Sequence, residues 1–172
     1  MEEESKTLEI IRRVGAPKPE KITITGILKS PDLALLNLTL PADNDSPATV
    51  LSLLGTHGVN IRFITLYEDP RETRQLTLCV EAESLPASLE ILQSHQTSLG
   101  IRDLSSHRPV RIISIYPYKE RAPVTERLLT SLRLSGIEPL AVNNATSVLS
   151  CVLDSERLQE ALTCLEHVFA LP

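Results

Sequence analysis

The sequence predicts a chain of the α/β class made of two similar units, each a sheet with helices on one side, the first unit inserted in the second. Three observations carry this. Short runs that alternate apolar and polar residues are interleaved with runs of helical period. The order strand, helix, strand, strand, helix, strand occurs once and then begins again. The second pass lacks its closing strand, while one strand near the amino terminus belongs to no unit.

After a polar lead, residues 21–28 (KITITGIL) place Ile22 and Ile24 on one side and stop at Ser30-Pro31, as a half-buried strand does. Residues 34–40 alternate at Leu36, Leu38 and Leu40, and 41–45 are a polar loop. The period then changes. Val50, Leu51, Leu54 and His57 share a helical face, Asp45 or Ser46 stands at the cap position, and Gly58 ends the helix. Val59, Ile61 and Phe63 begin a strand, residues 68–72 turn, and Leu76, Leu78 and Val80 form the next strand. Leu85, Leu89 and Leu92 line a second helix capped by Ser84, and residues 100–104 make a short closing strand.

The pattern restarts with a strand at 110–116 (VRIISIY) and a helix striped by Val124, Leu128, Leu129 and Leu132 that ends at Gly136. Strands at 137–142 and 147–153 follow, and a last helix is striped by Leu158, Ala161, Leu162, Leu165 and Phe169, with Asp154 as its cap. With no final strand in this unit, the strand at 22–28 is expected to cross over and complete its sheet. The simpler alternative is that this strand extends the first sheet. The expected division is a polar tail over 1–20, a first domain over 30–106, and a discontinuous second domain over 21–29 plus 107–172. In the tail, Leu8, Ile10 and Ile11 hint at a short amphipathic element.

Composition narrows the function. The chain has 172 residues, 42% of them hydrophobic, and a net charge of -5 with scattered basic residues, which speaks against a nucleic-acid surface. No run approaches the roughly 20 apolar residues of a membrane span, and the acidic start is unlike a signal peptide, so a cytoplasmic protein is expected. Cys79, Cys151 and Cys164 are widely spaced and read as buried free thiols. The histidines (His57, His95, His107, His167) show no HxxxH spacing, and no metal or other cofactor is expected.

From Ile22 to Leu171 the sequence resembles the tandem of ACT domains, ferredoxin-like βαββαβ units, in the regulatory region of aspartokinases. The residues that carry the resemblance are Ile24-Thr25-Gly26-Ile27, the joints Gly58-Val59-Asn60-Ile61 and Ser135-Gly136-Ile137, and the stretch from Ser150 to Asp154 with Ala161-Leu162 and His167-Val168-Phe169. The resemblance implies a non-catalytic allosteric module that binds an amino acid and signals to a kinase. The residues ahead of the first strand are not expected to house an ATP site, and no phosphate-gripping glycine loop occurs.

In the family the ligand loop carries a Pro-Gly pair before the first helix of each repeat, where free helix N–H groups hold a carboxylate. Here the matching positions are Asn44-Asp45 and Ala122-Pro123. Asp45 would repel an anion at the helix start, and Pro123 lacks an N–H. Leu66 stands where the family has a ligand-contacting amide, whereas Asn60 is retained. The expected ligand residues are therefore Asp43, Asn44, Asp45, Ser46, Asn60 and Ile61, with ordinary capping the plainer use of Asn44, Asp45 and Ser46. In the second repeat, Tyr116, Tyr118, Arg121 and Val124 occupy the equivalent loop and helix start, and a plain loop with one tyrosine packed inward is the alternative. Residues 143–147 form a polar turn.

The leading expectation is a regulatory module that senses an amino acid or similar small carboxylate through a shift of domains or subunits. Its rival is a ligand-free dimerisation or interaction module. A homodimer is expected because sheet edges and open faces call for cover, and a separate catalytic or regulatory protein is a further expected partner.

Overall fold

The computed structural model describes residues 20–42, 45–70, 72–118 and 122–172. The expectations placed on 1–19, Asp43, Asn44 and Arg121 lie outside the described residues. In chain order the strands and helices are β1 (Ile22–Thr23), β2 (Gly26–Lys29), β3 (Leu33–Pro41), α1 (Ser46–Thr56), β4 (Ile61–Asp69), β5 (Thr73–Glu81), α2 (Leu85–Ser94) and α3 (Gln96–Leu99). They continue with β6 (Asp103–Tyr116), α4 (Ala122–Leu134), β7 (Ala141–Asn144), β8 (Leu149–Asp154), α5 (Leu158–Val168) and β9 (Phe169–Ala170).

The 14-residue β6 is the axis of the fold. Its amino half pairs with β3, from Asp103↔Thr39 to Val110↔Leu33, giving a sheet in the order β4-β5-β3-β6. Its carboxyl half pairs with β8 and, on the opposite side, with β2: Ile113 is flanked by Cys151 and Lys29. β7 adds outside β8. The sequence suggested a break between residues 104 and 110. Ser105, Ser106 and His107 do look like loop residues, yet each pairs with β3. Pro109, which has no N–H to give, sits beside the register shift near the end of the β3 ladder.

Three apolar clusters result. Ala34, Leu36, Leu38, Leu40, Leu76, Leu78 and Val80 pack beneath α1 and α2 through Val50, Leu54, Leu85 and Leu92. Ile24, Ile113, Ile115, Leu149, Cys151 and Leu153 pack beneath α4 and α5 through Val124, Leu128, Leu132, Ala161 and Leu165. The third cluster lies between the sheets: Leu33, Leu35, Phe63 and Cys79 of one open face meet Val110, Ile112 and Val152 of the other. Part of the cover expected from a second chain is thus supplied within this one.

Two aromatic residues sit elsewhere than periodicity suggests. Val59, Ile61 and Phe63 read as one face, but β4 shifts register between Ile61 and Phe63. One extra residue reverses the alternation, so Ile61 stays with the helix side while Phe63 enters the inter-sheet cluster. Phe169 reads as the end of the last helical stripe. It is instead extended, at φ −112° and ψ 139°, and pairs in parallel with Ile22 while its ring fills the second core.

A polar knot fixes the crossing point between β2 and β3. Ile112 N–H donates to Ser30 Oγ at 2.8 Å, Arg111 Nε to Asp32 Oδ1 at 2.7 Å, and Ser155 Oγ to the same carboxylate oxygen at 2.8 Å. His107 contacts Asp154 alongside. The hydrogen bonds from Arg111 and then Ser155 hold the Asp32 carboxyl below its ordinary 3.8.

Truncating Phe63 to alanine should cost about 3–5 kcal/mol in chemical denaturation, because an aromatic ring leaves a packed core that cannot refill the space. Asp32→Asn should lower stability at neutral pH. Since the folded pKa is depressed, that difference should be fully present well above pH 3.8 and fade as acid protonates the wild-type carboxyl, measured as melting temperature against pH.

Candidate functional site

The start of α1 is built differently from an open anion cradle. Asp45 is exposed at the cap position and its side chain makes no capping hydrogen bond. Ser46 is buried, and its hydroxyl donates to the Leu99 carbonyl at 2.7 Å, tying α1 to α3. Pro47 in the first turn removes a further N–H. Asn60 is exposed just after Gly58, which turns the chain at φ +73°, and Ile61 packs against the first core.

Asp45 and Asn60 are not brought together. The loop before α1 follows the row Pro41–Thr73–Asp69, whereas β4 begins at the row Ala34–Val80–Ile61, the other end of the same sheet. The 11 residues of α1, about 16 Å of helix, span the gap.

The second-repeat residues separate as well. Tyr116 is exposed, but Tyr118 is only 6% exposed and joins the second core with Val124. The Tyr118 hydroxyl accepts from Thr125 Oγ1 at 3.1 Å and its N–H donates to the Ser147 carbonyl at 2.8 Å. The ring therefore occupies space beneath the loop. Leu66, at the position where an amide would reach a ligand, lies half exposed on β4.

Beside the loop before α1, Ala42, Glu68, Glu72 and Arg102 line a shallow cavity of about 320 Å³. Glu68 also meets Arg74 at 3.5 Å. Among the described residues this cavity offers one guanidinium and two carboxylates. Sequence reading missed Arg102 because it stands outside any motif; only the joining of α3 to β6 brings it next to residue 42. A second cavity of about 420 Å³ opens between the sheets, lined by Asn37, Thr65, Tyr67, Gln75 and Thr77 on one wall and by Leu140, Ala141 and Val142 on the other.

Burial pushes the thiols of Cys79 and Cys151 up to about 12, so both stay protonated near neutrality. Among the described residues no group of three His, Cys, Asp or Glu side chains is placed to hold a metal ion, and no helix is long and apolar enough to cross a membrane.

No family model matches the sequence, and no curated protein matches it. Solved structures do. The ligand-free regulatory subunit of aspartate kinase from Thermus thermophilus matches with a TM-score of 0.75 at 17% identity, over 86% of this chain and 99% of that one. A structure of aspartokinase alpha and beta subunits matches at 0.76 and 18% identity, over 84% of this chain and 97% of that one. Aspartate kinase from Synechocystis matches at 0.78 and 14% identity, over 87% of this chain but 28% of that one. At these identities the likeness is one of fold, and the fold is that of the regulatory region of aspartate kinase.

Proposed function

We propose that the chain is a non-catalytic regulatory module that binds an amino acid or similar small carboxylate and signals by a change in the placement of its domains or subunits. The observation that carries the regulatory reading is coverage: the match takes in 99% of a separate regulatory subunit and only 28% of a complete kinase. The division into a first domain over 30–106 and a second over 21–29 plus 107–172 is supported by β2, which lies beside the carboxyl half of β6 and not in the first sheet.

For the ligand, the cavity at Ala42, Glu68, Glu72 and Arg102 has the right charges. A free amino acid presents a carboxylate for the Arg102 guanidinium and an ammonium for Glu68 and Glu72. Asp45, at the start of α1, is on the same side of the sheet's length, following Ala42 in the chain. Asn60 and Ile61 lie at the far end, so they join such a site only from a second copy, which is the reading that favours a homodimer. The exposed edge strand β4, with Ile64, Leu66 and Tyr67 at its surface, is a surface for that contact. A separate catalytic subunit is the proposed receiver of the signal.

The rival reading, a ligand-free dimerisation or docking module, is favoured by specific features: Asp45 and Pro47 at the start of α1, and Tyr118 filling the space beneath the second loop. Thermal melting against the twenty amino acids separates the two. A ligand that binds only the folded state adds roughly 2.7 kcal/mol at a hundredfold excess over Kd. One amino acid should raise the melting temperature, and Arg102→Ala should abolish the rise. No response at millimolar concentration would overturn the sensor reading in favour of the docking module.

A further inference from the structure

The inter-sheet cavity has a chemistry unlike the charged one. On the open face of the first sheet, the row Leu35–Cys79–Phe63 is covered by the second sheet. The next two rows, Asn37–Thr77–Thr65 and Thr39–Gln75–Tyr67, are polar, and residues from both line the cavity of about 420 Å³ opposite Leu140, Ala141 and Val142. Asn143 Nδ2, on the strand that forms the apolar wall, donates to the edge carbonyl of Ile64 at 3.0 Å and ties the two walls together.

The polar wall is sorted by its own hydrogen bonds. Thr39 Oγ1 donates to Gln75 Oε1 at 3.0 Å, and Gln75 Nε2 donates to Thr73 Oγ1 at 3.2 Å and to Asp69 Oδ2 at 3.4 Å, so this amide is used at both ends. Thr77 Oγ1 donates to Asn37 Oδ1 at 2.8 Å, which leaves the Asn37 amide nitrogen with its donors unclaimed among the described residues. The hydroxyls of Thr65 and Tyr67 have no protein partner there either. Three donors on one wall thus face an apolar strip on the other, and among the described residues no charged side chain lines the space.

We propose that this cleft is a binding site for a small uncharged ring compound with carbonyl acceptors on one edge and an apolar opposite edge. The acceptors meet Asn37, Thr65 and Tyr67, and the apolar edge rests on Leu140 and Ala141, while Val142 borders the space through its backbone and turns its side chain to the second core. The volume lies within the usual range for small-molecule sites, about 300–1,000 Å³. A carboxylate is disfavoured twice: it would be desolvated with no cation in the lining, and Asp69 stands one row beyond Gln75. Because the walls come from different sheets, an occupant bridges them and favours the arrangement in which both walls contact it. This site is independent of the amino-acid reading.

The test uses paired probes that differ only in charge: uracil against orotate, and nicotinamide against nicotinate, titrated into the full chain and followed by amide NMR shifts. At least one neutral ring should shift the amides of Thr65, Thr77 and Val142, and its acid should bind at least tenfold more weakly. Tyr67→Ala, at a residue 58% exposed and so safe for folding, and Asn37→Leu should each weaken the neutral probe about tenfold. Shifts elsewhere, equal binding of the acids, no binding of either neutral ring, or indifference to both substitutions would overturn the proposal. An amino-acid melting response that survives Tyr67→Ala would show the two sites to be separate.

Discussion

Both sheets hang on a single strand. From Asp103 to Tyr116 the backbone of β6 runs unbroken, closing the first sheet with its amino half and forming an interior strand of the second with its carboxyl half. Val110 is the point of exchange, paired with Leu33 on one side and Asp154 on the other. A change of pairing partner along one strand requires a place where the ladder is interrupted, and Pro109 together with the neighbouring register shift supplies it. Ser30, Asp32, Arg111 and Ser155 then hold the crossing chain in place through hydrogen bonds that a plain loop would leave to water.

The turn imposed at this strand brings the helix-free faces of the sheets together, and the apolar contact does not extend across the whole first face. Leu33, Leu35, Phe63 and Cys79 are covered; Asn37, Thr39, Thr65, Tyr67, Gln75 and Thr77 are beyond the reach of the second sheet's apolar patch. That boundary creates the neutral cleft. The mixed-charge cavity near Ala42 arises at the distal end of the same sheet, where the chain leaving α3 carries Arg102 back against β3, its N–H donating to the Thr39 carbonyl at 2.8 Å. A neutral and a mixed-charge cavity on one sheet are a consequence of where cover stops.

The loops that resemblance to aspartokinase regulatory regions nominates take more than one role. Ser46 is consumed by a buried contact to α3, and Tyr118 with Val124 is consumed by the second core. Asp45 and Asn60 remain at the surface, at opposite ends of α1. Spacing along the chain is silent on this, since residues close in sequence to a helix start and to the following strand start are separated by the full length of the helix between them.

By itself the sequence determined the kind and order of most elements and which residues face the helices. Leu36, Leu38 and Leu40, or Leu76, Leu78 and Val80, alternate because a strand repeats every two residues, and a helix stripe such as Val124, Leu128 and Leu132 recurs at its own period. These are local signals of burial. Only the tertiary structure decided that Ser105 to His107 are strand, that Phe63 faces the other sheet, that Phe169 leaves the helix to pair with Ile22, and that Arg102 and Asn37 line cavities. Each of these depends on a partner strand distant in sequence, and a single shift of register reverses every side chain after it, so local periodicity carries no record of them.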